Sequence, residues 1–456
     1  MTATTTTDQD ARRRKTVVWV VTLATLGMIF DGFDLVAYGA VVSTFLKDPG
    51  QIGAVTPALA GTLGSYALVG MLFGALLAGA VGDIVGRRKV MLTAYAWFSI
   101  GMAVTALMTN ATMFGALRFL TGIGIGALIG TTGALIAEIA PPGKKNRCNA
   151  ISYSGVPLGS LLGSFLAIVA LDSIGWRGLF LVGALPIITL LPLAILKMPE
   201  SVSWLVAKGR IDEARVVSER TGVPMPTGVP ASATKERVGF AGLFSRGFVF
   251  STVLMGLMSA AAQCLNYFLN TWLPVLMEQA GFNTKGSLAF LLVLSGGAIL
   301  GALASSRFAD RFGPKPIVAS CFLIGGVFIA LMTVDLPLPV RLLFVAVVGL
   351  GTTGTSILIY GLVANHFPTK MRGAAVAWAA GFGRLGGIAG PLAGGLVIAA
   401  GLSVDSIFYV LTGLALVGVV LTVMVPPAHR QTDPHPTSAG PAVPLGSTAT
   451  AGSTTS

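Results

Sequence analysis

The sequence predicts an all-α integral membrane protein with twelve transmembrane helices in two six-helix pseudo-repeats. Hydrophobic residues make up 54% of the 456 residues and charged residues only 11%, against about a quarter charged in soluble domains. Twelve apolar runs can each cross a hydrocarbon layer of about 30 Å as a helix of about 20 residues. The two halves of the chain also share an internal repeat. Barrel strands are shorter and alternate in polarity, so a helical bundle is favoured.

Spans 1 to 12 are the apolar runs in chain order. The first run follows four cations, as the core of a secretory signal does, but it is too long, carries two acids and precedes eleven further runs. Several runs exceed the minimum length, so tilted helices are expected. The predicted spans are residues 16–46, 57–82, 89–109, 112–138, 149–171, 176–197, 247–277, 286–308, 315–334, 340–365, 373–400 and 404–425.

A polar segment separates the first six spans from the last six. It holds the amphipathic stretch IDEARVVSER and a Pro- and Gly-rich stretch typical of a linker. The end of the chain is rich in Pro, Thr, Ser, Gly and Ala, which predicts disorder. The predicted units are a cytoplasmic N-terminal tail (1–15), an N-terminal bundle (16–197), a cytoplasmic linker (198–246), a C-terminal bundle (247–425) and a disordered cytoplasmic tail (426–456).

The distribution of cations predicts the orientation. Of the 30 Lys and Arg residues, 24 fall on the side of the N-terminus, four on the other side, and Arg118 and Arg384 within spans. This positive-inside bias predicts a multi-pass protein of the cell membrane with both termini in the cytoplasm. It also accounts for the net charge of +12 without a nucleic-acid partner. The expected partners are the lipid bilayer, protons and a small molecule, and the chain is expected to be a monomer.

The internal repeat has an offset of 227 residues. One offset serves separate loops and helices, so duplication explains it better than the abundance of glycine. Two parallel halves related by an axis along the membrane normal are a known plan of transporters. The matched positions are Asp83 with Asp310, Gly86 with Gly313, Pro141 with Pro368, Gly159 with Gly386, and Gly163 with Gly390.

The sequence offers little for an enzyme. Cys148, Cys264 and Cys321 are scattered, so neither a disulfide nor a zinc site is indicated. We find no phosphate-binding loop, no cluster of metal ligands and no nucleophile paired with histidine. We therefore expect no enzymatic activity, no cofactor, no bound metal and no ATP drive.

Charged residues cluster at the predicted cytoplasmic ends of the spans. The loop GAVGDIVGRRKV follows span 2, and a related loop follows span 8. Span 4 ends in an acid, and a further acid follows span 6 in PESVSWL. These acids are predicted to belong to a charge network rather than to bind substrate. The predicted gating and charge network consists of Gly79, Asp83, Gly86, Arg87, Arg88, Glu138, Glu200, Asp310 and Arg311.

Two acids, Asp31 and Asp34, lie in the middle of span 1. A charge at the centre of a membrane helix costs about 2.5–3.5 kcal/mol, so such groups are expected to face a cavity or one another. The spacing of Asp31, Asp34 and Tyr38 places them on one helix face. A buried ion-pair set that merely fixes helix packing remains an alternative. It is disfavoured because two neighbouring carboxylates repel each other.

Span 11 supplies a candidate partner, Arg384, within GFGRLGGIAG. The surrounding glycines are expected to leave room around its guanidinium, which suits a carboxylate. The equivalent position in the first half is Pro157, so the cation departs from the repeat and is predicted to be functional. Polar and aromatic residues of spans 1, 7, 10 and 11 outline a pocket with it: Phe33, Tyr38, Gln263, Asn266, Tyr267, Asn270, Pro274, Thr353, Ser356, Tyr360 and Phe382.

The combined pattern resembles the aromatic acid:proton symporter family of the major facilitator superfamily. DGFD in span 1, GDIVGRRK after span 2, YFLNTWLP in span 7 and ANHFPTKMRG with GFGRLGG in spans 10 and 11 carry the resemblance, which covers residues 18–426. It implies the major facilitator fold and benzoate-like substrates. The essential acids then fall on Asp31 and Asp34, and the essential arginines on Arg118 and Arg384. Asp83 and Arg87 are implied to lock the cytoplasmic side.

Two departures from the family pattern matter. Ile84 stands where the family often has a cation, and no histidine lies deep in a span. His366 lies near the end of span 10, so a histidine proton relay is not expected.

The predicted function is proton-coupled import of a benzoate- or hydroxybenzoate-class monocarboxylate by alternating access. Asp31 and Asp34 are the predicted proton-coupling residues. Alternatives are a carrier of another organic anion, a sugar, a polyol or a drug-like compound, and a membrane sensor that binds aromatic acids without moving them. The predicted substrate-binding residues are Phe33, Tyr38, Arg118, Asn266, Tyr267, Asn270, Tyr360 and Arg384.

Overall fold

The computed structural model describes residues 2–141, 143–226 and 237–426, and nearly all of them are helical. The predicted tail beyond 426 and part of the predicted linker lie outside the described residues. The α-helices are α1 (Thr2–Lys47), α2 (Pro57–Val85), α3 (Arg87–Ala106), α4 (Ala111–Ile139), α5 (Lys145–Tyr153), α6 (Gly155–Gly183), α7 (Leu190–Lys197), α8 (Val202–Ala207), α9 (Ile211–Thr221), α10 (Arg237–Leu243), α11 (Val249–Gln279), α12 (Thr284–Phe312), α13 (Pro314–Leu331), α14 (Leu338–Gly349), α15 (Thr355–His366), α16 (Thr369–Ala399) and α17 (Val404–Met424).

Ten helices of the described chain are long and apolar enough to cross a membrane. Two further crossings are assembled from pieces. Span 6 begins inside α6, where Gly175 turns the chain with φ 64°, a conformation that glycine adopts without penalty, and it continues through a 3₁₀ turn into α7. Span 10 consists of α14, a π-helical turn at Leu350–Gly354 and α15. The fold therefore has about twelve crossings, as predicted, with spans 6 and 10 interrupted.

Helix α1 begins at Thr2 and so extends through the predicted N-terminal tail. Arg13 donates hydrogen bonds to the carbonyl oxygens of Ile139 and Ala140, which end α4. Thr16 donates to the carbonyl of Thr221 at the end of α9. These contacts hold the start of α1 and the linker helix α9 on the N-terminal half.

The turns after the second helix of each half have the same geometry. Gly86, between α2 and α3, has φ 105° and ψ 149°, and Gly313, between α12 and α13, has φ 88° and ψ 153°. Both conformations are essentially restricted to glycine. Two residues later, Arg88 donates to the carbonyl of Ile195 and Lys315 to that of Val425. The matching turns agree with the internal duplication.

Glycines bring helices of one half into close contact, as is common in membranes. In the first half, a side chain at Gly122 of α4 would collide with the carbonyl of Ala67 in α2. In the second, a side chain at Gly386 of α16 would collide with the carbonyl of Ala260 in α11.

The two halves meet along α1 with α11, α2 with α16, and α6 with α12. We call the end of the bundle that carries α8 and α9 the linker end and the opposite end, where α1 finishes at Lys47, the far end. Gly39 of α1 lies against the backbone of Asn270 in α11. Between α2 and α16, the hydroxyl of Ser65 donates a hydrogen bond to the carbonyl of Ile388 at 2.7 Å.

Candidate functional site

A cavity lies between the halves, at the middle of the bundle. Its wall is formed mainly by α1 and α2 of the first half, with one residue each from α4 and α6. The second half supplies two residues of α11 and one of α16. The lining residues are Asp31, Asp34, Leu35, Tyr38, Gly64, Ala67, Leu68, Met71, Arg118, Val156, Tyr267, Thr271 and Pro391.

Asp34 and Arg118 form an ion pair inside the first half. Each residue is only 3% exposed. The guanidinium carbon of Arg118 lies 5.1 Å from the ring centroid of Tyr38 and 6.0 Å from that of Phe180. Tyr38 donates its hydroxyl hydrogen bond to the carbonyl of Ala60. The cation is therefore held by one carboxylate and two aromatic faces, all on the same half.

Asp31, one helical turn before Asp34, is 8% exposed. It lies within electrostatic range of Asp34 and of Arg384, which is on the second half. Among the described residues, Asp31 and Arg384 form no direct ion pair. Arg384 is partly exposed, and it does not line the enclosed part of the cavity. The second acid–arginine pair thus spans the interface between the halves.

Three tyrosines lie within electrostatic range of Arg384: Tyr153, Tyr267 and Tyr360. The ring of Tyr267 packs against Gly387, and Tyr360 is hydrogen-bonded to Ser259. Tyr153 was not among the predicted residues. It lies at the start of span 5. The sequence feature that could have identified it is a polar aromatic residue inside an apolar run.

Neutral polar side chains lie at the same depth. Ser356 of α15 donates to the side-chain oxygen of Gln263 in α11 at 3.0 Å. Gly39 meets Asn270, and α1 and α11 run in the same direction. Eight residues earlier in each helix, Asp31 is therefore level with Ala262, the residue before Gln263. The charged and neutral groups therefore form one belt across the interface.

Several predicted pocket residues lie in helix contacts instead. Phe33 packs against Gly163 and Gly183 of α6. Asn270 donates to the carbonyl of Asn266 at 2.8 Å and to its side-chain oxygen at 3.2 Å. Phe382 packs on Trp378 with ring centroids 5.2 Å apart.

The glycines around Arg384 have a different role from the one expected. They were predicted to leave room around the guanidinium. In the structure Gly383 abuts Ser259, and Gly386 abuts the backbone of Ala260. Their lack of side chains lets α16 approach α11.

The predicted charge network divides unevenly between the halves. Arg87 pairs with Asp83 at 2.7 Å and with Glu138 at 3.5 Å. Glu200 accepts hydrogen bonds from the backbone N–H groups of Arg88 and Ser201, each at 3.0 Å. Gly86 leaves the space that the Glu200 carboxylate occupies, and a side chain at Gly79 would meet open space.

In the second half, Arg311 lies over the ring of Phe312 at 5.3 Å. Asp310 forms no ion pair among the described residues. The position equivalent to Glu138 is Asn365, which cannot supply the missing charge. His366, also near the linker end, is hydrogen-bonded to Ser251 at 3.0 Å and lies away from the cavity.

Comparison with known proteins places these features in a family. The family model described as Major Facilitator Superfamily matches residues 24–340 and 287–451. The benzoate transport protein of Acinetobacter baylyi is 30% identical over 432 residues, which is 92% of this chain and 91% of that protein. The gentisate transporter of Corynebacterium glutamicum is 32% identical over 392 residues, 85% of this chain and 83% of that protein.

A solved structure supports the fold. The xylose transporter XylE from E. coli, in a partially occluded inward-open conformation, superposes with a TM-score of 0.72 at 20% identity, covering 90% of this chain and 97% of that one. The family match covers most of the chain, and the curated relatives align over nearly their full lengths. This chain belongs to the major facilitator superfamily and is similar to its aromatic acid transporters.

Proposed function

We propose that the protein imports an aromatic monocarboxylate of the benzoate or hydroxybenzoate class, together with protons, by alternating access. The names of the relatives support the substrate class, because they include a benzoate and a gentisate transporter. The observation that carries the mechanism is the position of Asp31. It lies within electrostatic range of Arg384, which belongs to the other half, and one helical turn from the Asp34–Arg118 pair of the first half.

Arg384 is the proposed binding site for the substrate carboxylate. A guanidinium presents a planar fork that can grip a carboxylate through two hydrogen bonds. The rings of Tyr267 and Tyr360 nearby offer faces for an aromatic ring. Tyr38 is proposed to shape the site from the first half. Phe33, which packs against α6, is proposed to hold α1 in place, and Asn266 and Asn270 to hold α11 in place.

Proton coupling follows from competition for Arg384. When the substrate carboxylate binds the guanidinium, Asp31 loses its compensating cation. Asp31 then takes up one proton to become a neutral carboxylic acid, because an isolated buried carboxylate is costly. The interface now carries no unpaired charge, and the halves can rock. On the other side, substrate release restores the attraction between Arg384 and Asp31, and the proton leaves.

Asp34 has a supporting part in this scheme. Its partner Arg118 belongs to the same half, so the ion pair moves as one body when the halves rock. Asp34 therefore places a fixed negative charge next to Asp31, which favours proton uptake there.

The contacts between the halves are consistent with alternation. The cross-half hydrogen bonds and ion pairs among the described residues lie in the part of the bundle from mid-depth to the far end, for example between Ser65 and the backbone of Ile388. At the linker end, the charge network of Asp83, Arg87 and Glu138 stays within the first half. We propose that this arrangement is the state open toward the linker end, which is the cytoplasmic side.

The stoichiometry determines the driving force. One proton with one monoanion moves no net charge, so only the pH gradient would drive uptake. Two protons would add the membrane potential, worth about 2.3 kcal/mol per charge for each 100 mV. A substrate-induced current in proteoliposomes would reject the one-proton scheme, and electrically silent uptake would support it.

The neutral polar side chains Gln263, Ser356 and Ser259 are proposed to discriminate between substrates by hydrogen bonding to their ring substituents. A site built to hydrogen-bond a hydroxyl discriminates strongly against an analogue that lacks it. The Gln263→Leu variant is expected to lose preference for hydroxybenzoates over benzoate by about tenfold, since a buried hydrogen bond contributes about 1 kcal/mol or more.

The function is tested by uptake and counterflow in proteoliposomes. Purified protein should exchange labelled benzoate or hydroxybenzoate, and a competition panel should rank these, gentisate and protocatechuate above sugars. Binding of an aromatic acid without counterflow would indicate a sensor. Competition by sugars or aliphatic anions alone would indicate one of the other carriers.

A further inference from the structure

The far end carries a contact between the halves that the scheme above does not use. Glu278, near the end of α11, accepts hydrogen bonds through one carboxylate oxygen from the hydroxyl of Ser43 and the ammonium of Lys47, both on α1. The distance to the ammonium is 2.7 Å. Ser43, Lys47 and Glu278 are called the far-end latch below.

The carboxylate of this latch is buried although its cation is not. The side chain of Glu278 is 9% exposed, and that of Lys47 is 62% exposed. The second carboxylate oxygen, Oε1, is buried without a partner in the described part of the chain. A buried oxygen without a partner costs free energy, which offsets part of the stabilisation from the bonded oxygen and leaves the closed contact reversible.

A second cross-half ion pair at the same end provides a comparison. Lys285 of α12 and Asp172 of α6 lie 3.0 Å apart, but their side chains are 62% and 66% exposed. Water screens such a pair, which typically contributes little. The carboxylate of Glu278 is buried, so its charge-assisted bonds are screened less than those of the exposed pair.

The latch also lies on the helix that carries the coupling acids. Ser43 follows Asp34 by nine residues in the same uninterrupted helix α1. A movement of α1 relative to α11 at Asp31 therefore also displaces Ser43 and Lys47 from Glu278.

We propose that Glu278 is a gating residue: bound by Ser43 and Lys47, it keeps the far side of the cavity closed, and its release opens the cavity to substrate from that side. The proposal rests on the alternating access of the proposed function. It assigns to this acid a conformational task separate from substrate binding and from proton coupling.

The test measures access to the cavity directly. Thr271 lines the cavity and is 2% exposed, so Thr271→Cys reports when the far side opens. The reporter is placed in a chain whose three native cysteines are changed to Ala. A membrane-impermeant maleimide is then applied from the far side to reconstituted protein without substrate.

Glu278→Gln is expected to raise the labelling rate at least tenfold, and Ser43→Ala several-fold. The matched control Asp172→Asn is expected to change it less than twofold. Exchange of charges in Glu278→Lys with Lys47→Glu should restore slow labelling, which a merely structural defect would not allow. Thermal unfolding in detergent identifies any variant that fails to fold. If Glu278→Gln does not fold, the labelling rate of Ser43→Ala decides the test.

Equal labelling of the Glu278→Gln, Ser43→Ala and Asp172→Asn proteins would overturn the proposal. Because the assay contains no aromatic acid, its outcome is independent of whether the transport assays identify the proposed substrate.

Discussion

The two carboxylates of α1 lie one turn apart, yet their partners belong to different halves of the molecule. Asp34 forms an ion pair with Arg118, inside the first half. Asp31 interacts with Arg384, which the second half supplies. Relative motion of the halves cannot separate the first pair but must change the second. We propose that this difference gives them different tasks: Asp34 stays in its ion pair, and Asp31 exchanges its cation for a proton.

The largest expected effect comes from removing each acid in turn. Asparagine keeps the shape of aspartate but cannot take up the proton. Asp31→Asn should abolish accumulation driven by a pH gradient while counterflow continues, since counterflow needs no net proton movement. Asp34→Asn should reduce both activities together, because it leaves Arg118 unpaired. Uptake by proteoliposomes in the two modes measures this, and normal accumulation by the Asp31→Asn protein would refute the assignment.

The arginines provide the next test. Truncating one partner of a buried charge pair costs about 2–5 kcal/mol, so Arg384→Gln should raise the KM for counterflow by about 30-fold or more. Arg384→Lys, which keeps the charge but loses the fork, should fall between this variant and the wild type. The concentration dependence of counterflow gives these KM values. An unchanged KM in Arg384→Gln would show that the substrate carboxylate binds at another residue.

Thermal stability should depend more on the Asp34–Arg118 pair than on Asp31 and Arg384, the reverse of the order expected for proton-coupled uptake. Breaking a buried ion pair from one side costs about 3–5 kcal/mol, so Asp34→Asn and Arg118→Gln should each lower the unfolding temperature markedly, with partial recovery in the double variant. Asp31 and Arg384 form no direct ion pair among the described residues, so the coupling between Asp31→Asn and Arg384→Gln should be smaller than that of the first pair. A double-mutant cycle by thermal unfolding in detergent decides this. Strong coupling in the second cycle would indicate a fixed pair.

The smallest effects are expected from two glycines of α1. A methyl group at Gly32 would meet the backbone of Val156 in the same half, and one at Gly39 would meet the backbone of Asn270 in the other half. Overpacking costs about 1–3 kcal/mol. Gly32→Ala should therefore lower the unfolding temperature, whereas Gly39→Ala should leave it unchanged and speed labelling of Thr271→Cys several-fold. The reverse pattern would contradict the division into two rigid halves.

Much of the fold followed from patterns that the sequence shows directly. Apolar run length predicted the crossings, and the repeat predicted matching turns at Gly86 and Gly313. The interruptions at Gly175 and in span 10 were not predicted, because a run of apolar residues looks the same whether or not the helix is broken within it.

The site was predicted as a set of residue types but not as pairs. Which acid faces which arginine depends on how α4 and α16 are rotated about α1, and spacing along the chain does not encode that rotation. Phe33 is an instructive exception. Two positions from Asp31 correspond to about 200° around a helix, so geometry alone would have placed it away from the cavity.

Glu278 and Tyr153 were missed for a common reason. Glu278 lies one residue beyond predicted span 7, where an acid resembles any loop residue, and Tyr153 lies at the start of span 5. Their partners are far away in sequence: Ser43 precedes Glu278 by 235 residues.

The turns at Gly86 and Gly313 indicate where the protein should be least tolerant of substitution. Both Gly86 and Gly313 require a backbone that other residues resist, so a saturation library should show two depleted codons, 227 residues apart. Depletion should be deeper at codon 86, where the carboxylate of Glu200 occupies the space of any new side chain, than at codon 313, where nothing does. After a duplication, both halves can thus keep the same glycine requirement while one half becomes less tolerant of substitution there.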